Sequence, residues 1–177
     1  MLNGVPTVWS IHADGDYFDA EVLFLNEKCI ALGWPLIGDL RLLPPKRAAF
    51  QERINEIYKP THGITADRIR GAGTALHRFL TELHVGDLIV CRADNDGQIF
   101  VGEITGDYEF DSEVPPRNPD ALHRRSVSWY QPKVYYSDIA QKAAAGRQPL
   151  RAITDKLTVH EFVKALKRAK QEAGVKS

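Results

Sequence analysis

The acidic residues in the middle of the chain come closest to a catalytic spacing. Asp87 precedes the run Glu103-Ile104-Thr105, and a metal-dependent nuclease clusters such acids beside a lysine that helps to activate water. Thr105 stands where that lysine is expected, and Glu103 lies in a segment that predicts a strand. The glycine motifs of phosphate-binding loops, dinucleotide folds and nucleophile elbows do not occur. We therefore expect a non-catalytic protein.

Metal and cofactor chemistry have no support in the sequence. The two cysteines, Cys29 and Cys91, belong to no CxxC motif, and no histidine lies at ligand spacing from either. Both fall in apolar segments that predict buried strands, where a cysteine packs as a small apolar side chain. We predict no metal site and no cofactor.

Hydrophobic periodicity predicts the elements that must position any site. Strands are predicted where β-branched and apolar residues run together between turn residues, over 5–12, 29–34, 88–93, 98–108 and 124–136. Helices are predicted where apolar residues recur at helical spacing, over 17–28, 46–58, 65–83 and from the capping box at Thr158 onward. The remaining segments predict connections, with a hairpin turn at 94–97, loops over 35–45 and 109–122, and a connector over 140–149.

The predicted helices also have predicted buried faces. The first buries Phe18, Val22 and Leu25, and the second buries Phe50, Ile54 and Ile57 and ends just before Pro60. In the third helix, Gly71 and Gly73 each cost about 1 kcal/mol relative to alanine, which suggests a close backbone approach.

The element order predicts an α+β fold with a mixed, barrel-like sheet and flanking helices. A chain of 177 residues suits one domain. We divide it into a domain over 1–150 and a C-terminal helix over 151–177 that packs on or extends that domain. With no apolar run near the roughly 18 residues of a membrane span, and no signal-peptide pattern, we expect a cytoplasmic protein.

The formal net charge is zero, but the charges are unevenly distributed. Counting Lys and Arg against Asp and Glu gives −5 over 1–40, +4 over 41–93, −5 over 94–140 and +6 over 141–177. The protein as a whole therefore exerts no broad attraction on a polyanion, and nucleic-acid binding would depend on local basic patches. The alternative is that these segments are solvated helix faces.

Four sets of residues, taken in order, resemble EVE-like domains of the PUA superfamily, which stand at the N-termini of many modification-dependent restriction endonucleases. They extend over about residues 5–140 and comprise Trp9-x-Ile11 with Ile30–Trp34 and Ile37–Leu40, then Phe79 with Gly86–Val90, then Gly102–Tyr108, then His123–Trp129. The resemblance implies a PUA/EVE-like fold and binding of a modified, flipped base in an aromatic pocket.

The resemblance also implies candidate site residues. Trp34 and Trp129 are the leading base-pocket candidates, and the weaker ones are Tyr17 and Tyr130. Trp129 and Tyr130 are neighbours on one strand, so they cannot both face the pocket. The alternative for each tryptophan is core packing with its indole N–H bonded.

Charged residues near these aromatics could contact the rest of a nucleotide. Asp39 can accept a hydrogen bond from an exocyclic amine or, alternatively, cap nearby backbone amides. Arg124 and Arg125 are phosphate-contact candidates; their alternative is a salt bridge to the acidic segment 103–113. His12 is a third phosphate-contact candidate, at a position where the family often carries arginine.

The sequence thus predicts a reader of a modified base, with DNA favoured as partner, which acts with a separate nuclease or other effector in restriction-modification. Two alternatives stay open. One is a PUA-like module that binds RNA or a nucleotide, and the other is a non-catalytic interaction or regulatory subunit. No membrane partner is expected.

Overall fold

A computed structural model describes residues 6–12, 20–92, 99–113, 118–134, 149–155, 159–161 and 163–164. The strands in chain order are β1 (Val8–Ile11), β2 (Cys29–Leu32), β3 (Leu88–Arg92), β4 (Ile99–Ile104), β5 (Glu109–Phe110), β6 (His123–Val134) and β7 (Leu150–Ile153). The helices are α1 (Ala20–Asn26), α2 (Arg47–His62) and α3 (Ala66–Thr81).

The seven strands form one curled, mixed sheet in the order β2-β6-β4-β3-β1-β7, with β5 also paired to β6. Only the pair β1 and β3 is parallel; every other pairing among the described strands is antiparallel. The long strand β6 produces the curl, because its first residues pair with β2 and β5 and its later ones with β4. The predicted α+β class is confirmed, and the sheet has the form of a half-barrel.

Side chains on the two faces of the sheet enter two apolar clusters. Ile89 and Cys91 of β3 belong to the main core, with side chains of α1, α2 and α3. Leu88 and Val90 belong to a smaller cluster on the other face, against which Val159 and Val163 pack. This alternation follows from the two-residue period of a strand. Cys29 and Cys91 are buried in their strands, as predicted.

Helix α2 extends beyond its predicted end. It passes through Pro60 to His62 and ends at Gly63, whose positive φ of 61° and N–H bond to the Lys59 carbonyl form the C-cap. Pro60 is exposed and lies in the last turn, so packing of the opposite face holds the helix despite the missing N–H donor. Phe50 and Ile54 are buried as predicted, but Tyr58 is more deeply buried than Ile57.

The predicted face of α1 is wrong at Val22, which is 50% exposed, because Leu23 and Phe24 are the residues buried against the sheet. The predicted loop over 109–122 contains the short strand β5. Strand β7 was not predicted, since its pairing with β1 depends on a partner more than 130 residues away. Its four residues carry no clear alternation of their own.

Some predictions lie outside the described residues. These are Phe18 and Tyr17, the 94–97 turn, most of the 140–149 connector, and Thr158 with the end of the last helix. Residues 159–161 and 163–164 of that helix are helical. Within the described ranges, no helix is long and apolar enough to cross a membrane.

Candidate nucleic-acid interface

The segment 33–43 follows β2, and we call it the Trp34 loop. It contains two 3-10 turns, Pro35–Ile37 and Leu40–Leu42. Trp34 precedes the first turn in a left-handed conformation, with φ 72° and ψ 49°. A bulky side chain is strained there by about 1–2 kcal/mol, so the surrounding structure must hold this backbone in place.

A chain of hydrogen bonds holds both turns of the Trp34 loop. The Leu40 N–H donates to the Tyr108 hydroxyl (3.2 Å), and Tyr108 lies 2.9 Å from Nδ1 of His123. Nε2 of His123 lies 3.3 Å from the Trp34 carbonyl oxygen. A carbonyl can only accept, so Nε2 carries the proton, Nδ1 accepts, and the Tyr108 hydroxyl donates to it.

Burial keeps this chain in one protonation state. His123 is 0% exposed, and desolvation lowers the pKa of its imidazole to about 4, against a smaller opposing effect of its bond to Trp34. Burial likewise raises the pKa of the Tyr108 phenol. The imidazole is therefore neutral at pH 7. The hydrogen bonds that run from Leu40 through Tyr108 and His123 to Trp34 hold the loop in place, and we call them the His123 clasp.

The indole of Trp34 lies at the junction of the loop with α2 and α3. Its ring meets the edge of Tyr58 at a centroid distance of 4.9 Å, and the Arg68 guanidinium lies 5.7 Å from its centroid. The Tyr58 hydroxyl accepts the Leu36 N–H (3.0 Å), which ties the loop to α2. Trp34 is only partly buried and Arg68 is exposed, so this aromatic and cation pair borders solvent.

Asp39 adopts the capping arrangement. Its carboxylate accepts the Arg41 N–H (3.0 Å) at the start of the second 3-10 turn and forms a two-point ion pair with the Arg41 guanidinium. The hydrogen bond from the Arg41 side chain lowers the pKa of Asp39. The guanidinium also lies 5.6 Å from the Tyr108 ring centroid. This placement favours the capping alternative over an exposed base acceptor.

Arg124 lies inside the protein rather than at a phosphate-binding surface. The residue is 2% exposed, and its guanidinium donates to the Ala121 carbonyl and pairs with Glu27. Its Nε also lies 3.8 Å from Asp111. The placement favours the salt-bridge alternative, because Asp111 belongs to the acidic segment that the sequence singled out.

Arg125 is 4% exposed and caps the end of α3. It donates from Nε to the Phe79 carbonyl (2.9 Å), from Nη2 to that of Leu80 (3.3 Å) and from Nη1 to that of Gly106 (3.2 Å). The last carbonyls of a helix have no partner within it, so a buried cation there meets both a hydrogen-bonding and an electrostatic need. Desolvation lowers the pKa of this guanidinium.

Trp129 adopts the core arrangement. Its indole N–H donates to the Phe24 carbonyl (2.8 Å), and its ring stacks on Phe24 and meets the edge of Phe100, each at a centroid distance of 6.3 Å. An added Cβ on Gly102 would lie 2.8 Å from Cε3 of Trp129, so glycine leaves room for the ring. Among the described residues, Trp34 and Trp129 share no ring partner, and the structure does not bring them into one pocket.

The remaining candidates are dispersed. Tyr130 packs on the opposite sheet face from Trp129, as the strand period predicts, and its hydroxyl donates to Glu103 (2.7 Å). His12 follows β1, and its backbone N–H bonds to the Pro149 carbonyl. Tyr17 lies outside the described residues.

Asp87 has a structural role. Its carboxylate accepts the N–H groups of Thr7 (3.1 Å), the Trp9 indole (3.0 Å) and His84 (2.9 Å), and so joins β1 to the turn before β3. In the part of the chain that the structure describes, no group of three His, Cys, Asp or Glu residues could hold a metal ion.

Residues 9–167 match the family described as a domain of unknown function, DUF8426. The chain belongs to this family. No curated protein and no solved structure matches it. The matched range includes the Trp34 loop and all of the residues that hold it.

Sequence reasoning missed Tyr58, Arg68, Tyr108 and His123 as individual site residues. Tyr108 and His123 occur within the motifs that carry the family resemblance. Their hydrogen-bonding side chains within those motifs were the signal that could have identified them. Tyr58 and Arg68 carry no local signal. They reach Trp34 only because α2 and α3 pack beside the loop.

Proposed function

We propose that this protein is a nucleic-acid reader that holds a modified base of DNA against Trp34 and acts with a separate nuclease or other effector. We propose further that its fold is of the PUA/EVE-like kind, with which the curled, mixed sheet and flanking helices are compatible. The observation that carries the proposal is the partly exposed indole of Trp34, which lies beside the exposed Arg68. The backbone of Trp34 is strained and is held in place by the hydrogen bond from His123.

The Trp34 ring offers the flat apolar surface that a base requires. Stacking a base on an aromatic side chain stabilises a complex by about 1–3 kcal/mol. The Arg68 guanidinium already lies over this ring, and a planar cation of this kind also stacks on bases. We expect the base to enter beside Arg68, with the guanidinium either covering the base or moving to its phosphate.

Exposed cations of the Trp34 loop and of the helices α2 and α3 can hold the nucleic-acid backbone. They belong to the segment 41–93, whose net charge is +4, and include Arg41, Lys46, Arg47, Lys59, Arg68 and Arg70. Arg41 is ion-paired with Asp39 and Arg70 with Asp67, so a phosphate would have to compete with these carboxylates. These residues replace the buried Arg124 and Arg125 as phosphate-contact candidates. Because lysine and arginine contacts release counterions from DNA, the affinity should fall steeply with salt.

Binding of labelled oligonucleotides, measured by fluorescence anisotropy, tests the proposal. Matched DNA strands should carry cytosine, 5-methylcytosine, 5-hydroxymethylcytosine, adenine or N6-methyladenine at one position. We expect one modified strand to bind more tightly than its plain counterpart, and Trp34→Ala to remove the difference. Equal affinity for all strands contradicts modification reading, and preference for a matched RNA strand favours the RNA-binding alternative.

Two control variants separate stacking from charge. Trp34→Phe keeps an aromatic ring and should retain part of the discrimination. Arg68→Gln should lower the affinity for all strands and reduce the slope of log affinity against log salt by up to about 1. Val85→Ala, which shortens an exposed apolar side chain outside the Trp34 loop, should change neither quantity.

A further inference from the structure

His62 is the last residue of α2, and it is exposed. Tyr58 precedes it by four residues, so the two side chains share one face of the helix, and their ring centroids are 5.2 Å apart. Tyr58 is also the ring that meets Trp34, at a centroid distance of 4.9 Å. The centroids of Trp34 and His62 are therefore separated by no more than the sum of these two distances, a span that one nucleotide can cover.

The hydroxyl of Thr61 fixes the tautomer of the His62 imidazole. It donates its proton to the Ile57 carbonyl (2.7 Å), and its oxygen lies 2.6 Å from Nδ1 of His62. A threonine hydroxyl carries one proton, so towards His62 its oxygen can only accept. Nδ1 therefore carries the proton of the neutral ring, which leaves Nε2 as a hydrogen-bond acceptor. Within the described ranges, no group bonds to this Nε2.

An acceptor at this position complements the other polar side chains around Trp34. Arg68, over the indole, has only donors, and the carboxylate of Asp39 is already bonded to Arg41. Cytosine and adenine each present an exocyclic amine, whereas thymine and guanine present a carbonyl oxygen at the corresponding place. The acceptor nitrogen of His62 attracts an amine and repels a carbonyl oxygen, so it distinguishes these two classes of base.

We propose that Nε2 of His62 accepts a hydrogen bond from the exocyclic amine of the base that Trp34 holds, so that the base is a derivative of cytosine or adenine. The inference rests on the proposed function and specifies its substrate class. His62 determines the specificity, and Thr61 positions the proton of its ring. The C-cap at Gly63 fixes the end of the helix that carries both side chains, so the acceptor is in place before the base arrives.

DNA oligonucleotides that differ by one amine test the inference by fluorescence anisotropy. 5-Methylcytosine and thymine share a ring and a methyl group, but one carries an amine where the other carries a carbonyl, and adenine and hypoxanthine differ in the same way. We expect the parent protein to prefer the amine in at least one pair by roughly fivefold to tenfold. His62→Phe, which keeps a ring beside Tyr58 but has no nitrogen, should abolish the preference by weakening only the amine-bearing strand.

Further variants separate the acceptor from a general effect of substitution. Thr61→Val keeps the imidazole but frees its tautomer, so it should reduce the preference for the amine without abolishing it. His84→Phe, at a mostly exposed histidine of another turn, and Thr81→Val, which removes a hydroxyl bonded to the His77 carbonyl, should leave the preference unchanged. NMR of the ring nitrogens should place the proton of neutral His62 on Nδ1 in the parent and on both nitrogens, in exchange, in Thr61→Val.

The outcomes distinguish failure of the inference from failure of the proposed function. A neutral His62 with its proton on Nε2 overturns the inference, and so does a parent that reads modifications without preferring an amine. If His62→Phe keeps the preference, or weakens all strands equally, the inference is also overturned, while loss of reading in Trp34→Ala still supports the proposed function. If the parent prefers a matched RNA strand and His62→Phe removes that preference, Nε2 accepts a 2′-hydroxyl and the inference falls. Equal affinity of the parent for all strands overturns both.

Discussion

Nε2 of His123 donates to the carbonyl of Trp34, which lies 89 residues earlier in the chain, over a distance of 3.3 Å. The same carbonyl accepts the Ile37 N–H (3.2 Å). Two donors on one oxygen hold the Trp34 backbone in its left-handed conformation. The position of the indole is therefore set by β6 as well as by its own loop.

The His123 clasp should make stability depend on pH. The imidazole titrates near 4 when folded and near 6.5 when unfolded, so the unfolded chain binds more protons between these values. The free energy of unfolding should therefore fall as the pH drops from about 6.5 to about 4, by about 3 kcal/mol from this residue, with no further loss from it below that range.

Urea unfolding at several pH values measures this contribution. His123→Gln should flatten the slope between pH 4 and 6.5, whereas His84→Gln, at a mostly exposed side chain, should not. An imidazole of His123 that titrates near 6.5 in the folded protein, followed by NMR, would contradict the assignment.

Tyr108→Phe should loosen the loop. It removes the hydroxyl that joins the Leu40 N–H to His123, so the Leu40 N–H and Nδ1 of His123, both buried, lose this hydrogen-bond partner. We expect a loss of about 1–3 kcal/mol in urea unfolding, together with weaker oligonucleotide binding. Tyr130→Phe, which removes a bond to the partly exposed Glu103, should cost less and leave binding unchanged. If the two variants lose the same stability and the same binding affinity, the hydrogen bonds of Tyr108 do not hold the loop in the way proposed.

The two tryptophans should respond in opposite ways to truncation. Trp129→Ala removes a ring packed on Phe24 and Phe100, and we expect a loss of about 3–5 kcal/mol in stability. Both rings are partly buried, but only the Trp129 indole is described with its N–H bonded to a backbone carbonyl and with two phenylalanine rings against it, so Trp34→Ala should lower stability less and binding more than Trp129→Ala. Calorimetry and anisotropy on both variants measure the contrast. A stability loss for Trp34→Ala as large as that for Trp129→Ala would place Trp34 in the core.

Arg125→Lys should destabilise the protein without changing the salt dependence of binding. One ammonium cannot reproduce the fork that reaches the carbonyls of Phe79, Leu80 and Gly106. We expect a loss of about 1–3 kcal/mol. Arg68→Lys, at an exposed position, should leave stability nearly unchanged. A shallower salt slope in Arg125→Lys would show that this residue contacts phosphate after all.

Two glycines of α3 form a matched pair. An added Cβ on Gly73 would lie 3.0 Å from both N and Cα of Gln51 in α2, whereas one on Gly71 meets nothing within 4 Å. Gly73→Ala should therefore push the helices apart and destabilise the protein. Gly71→Ala should stabilise it by up to about 1 kcal/mol through helix propensity. Thermal unfolding of both variants measures the sign of each change in stability. If both substitutions change stability in the same direction, the close approach of α2 at Gly73 is refuted.

Much of the scaffold was predictable, because it depends on local pattern. The strands around Ile30, Ile89 and Val127, the two long helices, and the opposite orientations of Trp129 and Tyr130 follow from side-chain period and turn residues. The Gly73 contact also had a local signal. The misses at Val22, Pro60 and β7 occur where a distant partner overrides the local pattern.

The sequence by itself determined the α+β class and placed Asp39 in a loop between a buried strand and a helix. It predicted Trp34 as the last residue of that strand, whereas the strand ends at Leu32 and Trp34 belongs to the loop. Only the tertiary structure decided which candidates reach the surface. Arg124 and Arg125 look like surface cations in sequence, yet Glu27, Asp111 and the end of α3 hold them inside. The physical reason is that a charge can be buried when long-range pairing supplies its hydrogen bonds, and such pairing cannot be derived from local spacing.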